Sequence, residues 1–206
     1  TTITGVAFFL YSLMAGVSSG FISMMALGSI ITAFIMGWVI IAKPHLGKAL
    51  AIPYAILEGV VIGAISLFVT VKYPTIAPTA MVATFVTAAV MLALYQSRVI
   101  RVTEKFRSVL ISAVIAITLV YLVQIGLSLF SSSIPYLFSG GVVAIGFSLF
   151  VVIIASLSLL LDFDNVERAK AAGVDESYEW VLSIGILSTL VWMYIEFVRL
   201  LRNLQN

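Results

Sequence analysis

The chain of 206 residues contains no cysteine. Disulfides, thiolate metal sites and a cysteine nucleophile are excluded together, and the redox state of the compartment is left open. Histidine occurs once, as His45 in a loop. A single imidazole supports neither a metal site nor a catalytic triad. Charge is scarce too: Asp, Glu, Lys and Arg make up 10% of the residues, against about 25% in a soluble domain. The basic residues collect in loops and form no surface interleaved with aromatics, so nucleic acid is not an expected partner. Proline is limited to five positions, Pro44, Pro53, Pro74, Pro78 and Pro135. All of them stand at or near the ends of apolar runs, where a missing N–H costs least.

Apolar residues fill the space that charge leaves. They make up 62% of the chain, with a mean hydropathy of +1.20, which is the composition of a membrane protein. A spanning helix needs about 20 mostly apolar residues, with a range of roughly 17–25. Seven segments qualify, at about 3–20, 22–42, 50–71, 78–97, 107–130, 141–163 and 180–203. The first has no basic leader and no small-residue cleavage site, so it reads as structure rather than a signal peptide. A tight Ser18-Ser19-Gly20 turn divides it from the second. The expectation is one all-α, polytopic domain over residues 1–206 with seven transmembrane helices.

Sidedness follows from the loop charges. Lys43, Lys48, Arg98, Arg101, Lys105, Arg107, Arg168 and Lys170 fall on one side, and Lys72, Arg199 and Arg202 on the other. The richer side is expected to be cytoplasmic, which puts the N-terminus inside and the C-terminus outside. Helix contacts are expected at small residues, which let backbones approach in lipid. Gly59-Val-Val-Ile-Gly63 has that spacing, and Gly141 and Gly146 flank the start of the sixth span. Plain packing accounts for these glycines. Met24, Met25 and Met36 read as filler, and Trp38 and Trp180 suit interfacial belts.

Three acids lie in or at the edge of apolar runs: Glu58, Asp162 and Glu196. A charge at the bilayer centre costs on the order of 2.5–3.5 kcal/mol on insertion scales, so such residues face the bundle interior and mark pathways or proton sites. Asp162 ends the run Leu157–Leu161, with Asp164 about 200° further round the helix and Asn165 on the same face as Asp162. From Asn165 to Ala172 the chain still reads as helical, and Gly173 ends it before Asp175-Glu176 cap the next helix. Asp164, Glu167, Arg168 and Lys170 read as a solvated extension. Glu196 has Arg199 as its i+3 neighbour, so an internal ion pair is the plain reading.

From Leu57 to the C-terminus the sequence resembles the Bax inhibitor-1 (transmembrane Bax inhibitor motif) family in its bacterial branch. The matching pieces are Leu57-Glu58-Gly59 with Gly63-Ala-Ile-Ser66, Met91-Leu-Ala-Leu-Tyr95, Val99-Ile-Arg-Val-Thr103 with Phe106, Gly146-Phe-Ser-Leu-Phe150, Leu160-Leu-Asp162-Phe-Asp164 and Tyr194-Ile-Glu196-Phe197. The resemblance implies a last helix at the centre of six others and a pH-sensitive calcium leak in the bacterial inner membrane. It also implies a hydrogen-bonded acid dyad that closes the pore, with Asp162 as its first member and Glu196 where most relatives have Asp. Lys43 is the nearest match to a basic latch after the second helix. The connection between the last two helices is longer than in the best-known relatives.

Two carboxylates within hydrogen-bond reach share a proton and titrate as a pair. Losing the proton separates them or recruits a cation, and calcium suits such an oxygen site. Asp162 and Glu196 alone supply too few of its ligands, so its binding there would be weak and transient. Glu58 and Asp164 are candidates for the ion pathway, and Lys43 and Arg199 for latch or ion-pair partners. The expected partners are membrane lipids, calcium ions and protons, with no cofactor, no enzymatic activity and a monomeric state. Two alternatives remain, a proton-coupled secondary transporter and a non-conducting scaffold. An intramembrane aspartyl protease is disfavoured, because no Gly-x-Gly-Asp occurs and Leu161 precedes Asp162.

Overall fold

The computed structural model describes all residues except 15–17, 131–133, 135, 136, 138, 139 and 206. Among the described residues there are seven α-helices and no strand. Lipid offers no partner for backbone N–H and C=O groups, so apolar segments satisfy them internally as helices. The helices are α1 (Thr2–Met14), α2 (Ser19–Ala42), α3 (Gly47–Thr70), α4 (Ile76–Gln96), α5 (Glu104–Leu129), α6 (Val142–Ala171) and α7 (Ser177–Gln205). A single 3₁₀ turn, Pro44–Leu46, joins α2 to α3.

Six of these helices, α2 to α7, are long and apolar enough to cross a membrane. The expected first span is the exception. Its described part, α1, has 13 residues, about 20 Å at 1.5 Å per residue, and residues 15–17 lie outside the described chain. Ser18 adopts an extended backbone and its hydroxyl accepts the Phe21 N–H at 3.4 Å, so α2 begins at Ser19 and absorbs two residues expected in the turn. Pro53 also departs from expectation. Helix α3 starts at Gly47, three residues earlier than expected, which leaves Pro53 inside the helix. Pro135 lies outside the described residues.

The extension of α6 follows the sequence closely. It continues through Asn165 to Ala171 and ends in a glycine-based cap. Gly173 has φ +61°, and the N–H groups of Gly173 and Val174 reach the carbonyls of Lys170 and Ala169, each at 3.2 Å. Asp175 then accepts the Ser177 N–H at 2.8 Å. Hydrogen bonds from Ser177, through its side chain first and its backbone second, hold the exposed Asp175 carboxyl below its ordinary range.

The helices form two compact units, residues 1–77 with 165–191, and residues 78–164 with 192–206. Helix α7 contributes its first half to one and its second half to the other. In the first unit α1 lies on α3 through glycine. A methyl group on Gly59 would meet the Thr4 side chain and stand 2.7 Å from the Thr1 carbonyl, and one on Gly63 would stand 2.7 Å from the Gly5 carbonyl. The Gly59–Gly63 spacing therefore serves packing, against α1. Helix α2 covers α3 through Ala33, Ile40 and Tyr54, with Ile184 of α7 in the same cluster. Gly47 sits against Trp180, whose Cβ would be 2.8 Å from a methyl group there. Trp38 remains 69% exposed on α2 and stacks on Phe34, as a lipid-facing ring would.

In the second unit Leu110 and Ile117 of α5 pack on Val151, Ile154 and Leu161 of α6, with Trp192 of α7 against them. Two polar contacts fix how α6 and α7 run past each other. The Ser156 hydroxyl reaches the Met193 sulfur at 3.5 Å. Ten residues later, Asn203 donates to the Ser148 hydroxyl at 2.9 Å and to the Ala144 carbonyl at 3.4 Å. The two helices are antiparallel here, and Glu196 comes level with residues 153–154 of α6.

Candidate functional site

Glu196 is the most enclosed charged residue of the second unit. It is fully buried, at 0% exposure, in the middle of the last span. Burial of an ionised carboxylate in lipid is expensive unless hydrogen bonds and opposite charge compensate it. Both are present. The Tyr121 hydroxyl of α5 donates to Oε1 at 2.8 Å, and the Trp192 indole N–H donates to the same oxygen at 3.2 Å. Arg199 stands 3.3 Å from Oε2. Its guanidinium also donates to the Tyr121 hydroxyl and lies 4.5 Å from the centre of that ring, a cation–π contact.

Local helix geometry explains two of the three partners of Glu196. Trp192 precedes Glu196 by one turn and Arg199 follows by three residues, so both lie on its face of α7. Tyr121 comes from α5, 75 residues away in sequence. Its ring meets Phe147 of α6 edge-on, with centroids 6.2 Å apart, so α5, α6 and α7 all meet at the cluster. A cleft of 290 Å³ opens beside it, lined by Val114, Ile117, Thr118, Tyr121, Leu122 and Trp192. Chemically the cluster holds one acid, one base and a phenol within a single hydrogen-bonded group.

Asp162 lies on α6 in the same unit and is half-buried. From the register above it stands about eight residues, or about 12 Å, beyond the level Glu196 reaches. Asp164 is paired with Arg107 of α5 at 2.6 Å, with both side chains largely covered. The expected solvated extension therefore begins after Asp164, because Arg107 draws this carboxylate back onto the bundle. Phe163 between the two acids packs on Tyr95 of α4, with centroids 5.9 Å apart. Lys43 is exposed at the C-terminal end of α2.

Glu58 belongs to the other unit. Tyr54, one turn before it on α3, contacts Glu58 Oε1 at 2.7 Å and the Ser188 hydroxyl of α7 at 2.6 Å. Tyr54 is itself buried at 5% exposure. Tyr54 and Trp192 were not anticipated, although their i−4 spacing from acids is a signal that could have found them. Nothing local pointed to Tyr121, Ser188 or Arg107. Among the described residues no group of three or more His, Cys, Asp or Glu could hold a metal ion, so any cation here would rely on water and backbone oxygens.

The model of the Bax inhibitor 1 like family matches residues 1–206, the full length of the sequence. The chain belongs to the Bax inhibitor 1 like family. Comparison with curated proteins and with solved structures gives no match. The family match also takes in residues 1–56 of this Bax inhibitor 1 like protein, ahead of Leu57, where the sequence resemblance begins. With six spanning helices, it is a multi-pass membrane protein.

Proposed function

We propose that this Bax inhibitor 1 like protein is a calcium leak pathway regulated by protons, and that Glu196 is its principal gating acid. The observation that carries the reading is the enclosure of Glu196 at the junction of three helices, with an arginine and a phenol as partners. An ionisable group kept at that depth has a functional cost that packing alone would not retain. Family membership supports the same direction. Asp162 is the second acid of the proposal, at the end of the apolar part of α6. Sharing a proton between the two requires α7 to advance on α6 by about two helical turns from the register seen here, or intervening groups to relay it. The state described here has Glu196 engaged by α5 instead. Asp164 and Glu58 are proposed as further acids along the path. The loops at 43–46, 97–103 and 172–176 are proposed to face the cytoplasm of a bacterial inner membrane.

Purified protein in liposomes carrying a calcium indicator tests this directly. Wild-type protein is expected to pass calcium at a rate that depends on pH. Glu196→Gln and Asp162→Asn are each expected to change the rate and flatten its pH dependence. Unchanged flux and pH profile in both variants reject the gating role. Uptake that saturates and needs a second solute would point to a transporter, and wild-type vesicles with no flux would point to a scaffold.

A further inference from the structure

The contacts around Tyr54 contain more hydrogen bonds than their hydroxyls can fill. Three short oxygen–oxygen contacts run in series: Glu58 Oε1 to Tyr54 at 2.7 Å, Tyr54 to Ser188 at 2.6 Å, and Ser188 to the Ile184 carbonyl at 2.9 Å. Each needs one proton between its oxygens. Tyr54 and Ser188 have one O–H each. The carbonyl can only accept, so an ionised Glu58 leaves the series one proton short. A proton on Glu58 completes it, with every donor pointing from Glu58 through Tyr54 and Ser188 to the Ile184 carbonyl. From this count we infer that Glu58 is a proton-binding site, and that the bound proton fastens α3 to α7 through Tyr54 and Ser188.

Along α3 and α7 the nearest other charged side chains stand more than two turns from Glu58 and Ser188. Helices α1 and α2, which pack on α3, carry no Asp, Glu, Lys, Arg or His, and their one titratable side chain, Tyr11, is 66% exposed. Lys48 stands ten residues before Glu58 on α3, about 15 Å along the axis. On α7 the nearest charged residues are Glu196, eight residues or about 12 Å after Ser188, and Glu179, nine residues or about 14 Å before it. Glu167, Arg168 and Lys170 belong to the polar end of α6. The proton is therefore the ligand proposed for this site, whose residues all belong to the first unit.

Infrared difference spectroscopy of the full chain in lipid nanodiscs reads the proton without any transport measurement. Wild-type protein at neutral pH is expected to show a protonated-carboxyl C=O band that is absent from Glu58→Gln. In Tyr54→Phe the same band is expected at a shifted frequency, since its hydrogen-bond acceptor is gone. Identical spectra for wild type and Glu58→Gln overturn the protonated site, and an unshifted band in Tyr54→Phe overturns the latch. Thermal unfolding supplies a second measure. The Gln variant keeps a donor at all pH values, so its stability relative to wild type should be constant in acid, rise once the pH exceeds the ordinary carboxylate range where the unfolded chain ionises, and level off when folded Glu58 has lost its proton. A difference independent of pH from acid to alkali contradicts the inference. Neither readout involves calcium, so a failed leak reading leaves both tests intact.

Discussion

Glu196 shows what a buried acid needs in a bilayer. Its two oxygens are engaged by Tyr121, Trp192 and Arg199, and the charges of the pair offset each other only while these contacts persist. Removing one member therefore costs more than the contact is worth by itself. Tyr121→Phe deletes a donor to Glu196 and an acceptor for Arg199, with an expected loss of about 1–3 kcal/mol. Arg199→Met leaves the carboxylate without its cation and should cost about 3–5 kcal/mol. Adding Glu196→Gln to Arg199→Met should recover part of that loss. Unfolding of the variants in a common detergent gives the ranking, and additive single effects would contradict the coupling. At this scale the sequence was half legible. Helical spacing placed Arg199 beside Glu196 and could have placed Trp192 and Tyr54 beside their acids, because three or four residues make one turn. Tyr121 and Ser188 are 75 and 134 residues from the groups they contact, and only tertiary packing brings them there.

The spans α2 to α7 were legible to within three residues at every end but the C-terminal one of α6, whose helical extension the sequence also suggested. Hydropathy and length decide which segments lipid accepts. The exception was α1, whose described part is 13 residues against an expected 18-residue segment. The sequence also presented Gly59 and Gly63 as a close-packing pair but could not name what packs there. The structure names α1, with Thr1, Thr4 and Gly5 against them. Gly59→Ala should force α1 off α3, because the clash at 2.7 Å is with backbone oxygen as well as the Thr4 side chain. Overpacking of this kind costs about 1–3 kcal/mol. Gly20→Ala on α2 has open space around it and should be close to neutral. Limited proteolysis near the N-terminus, run on both variants, should show faster cleavage only for the first. Equal rates would mean that α1 does not depend on the glycine seam.

For the molecule as a whole, absence of cysteine makes sidedness measurable without background. Single cysteines placed at 100 and at 73 should react oppositely with an impermeant maleimide applied to intact cells. The position in the basic 97–103 loop should be protected and the one in the 71–75 loop labelled; the reverse result inverts the proposed orientation. One last consequence concerns how the molecule is made. The helix that carries Glu196, Arg199 and Asn203 is synthesised after α5 and α6, where its polar groups find their partners. Released alone into lipid, α7 would expose two acids, two arginines and two amides. Following α5 and α6, it meets Tyr121 and Ser148 already in place, so the earlier helices act as an assembly template and the order of biosynthesis shields the charged helix.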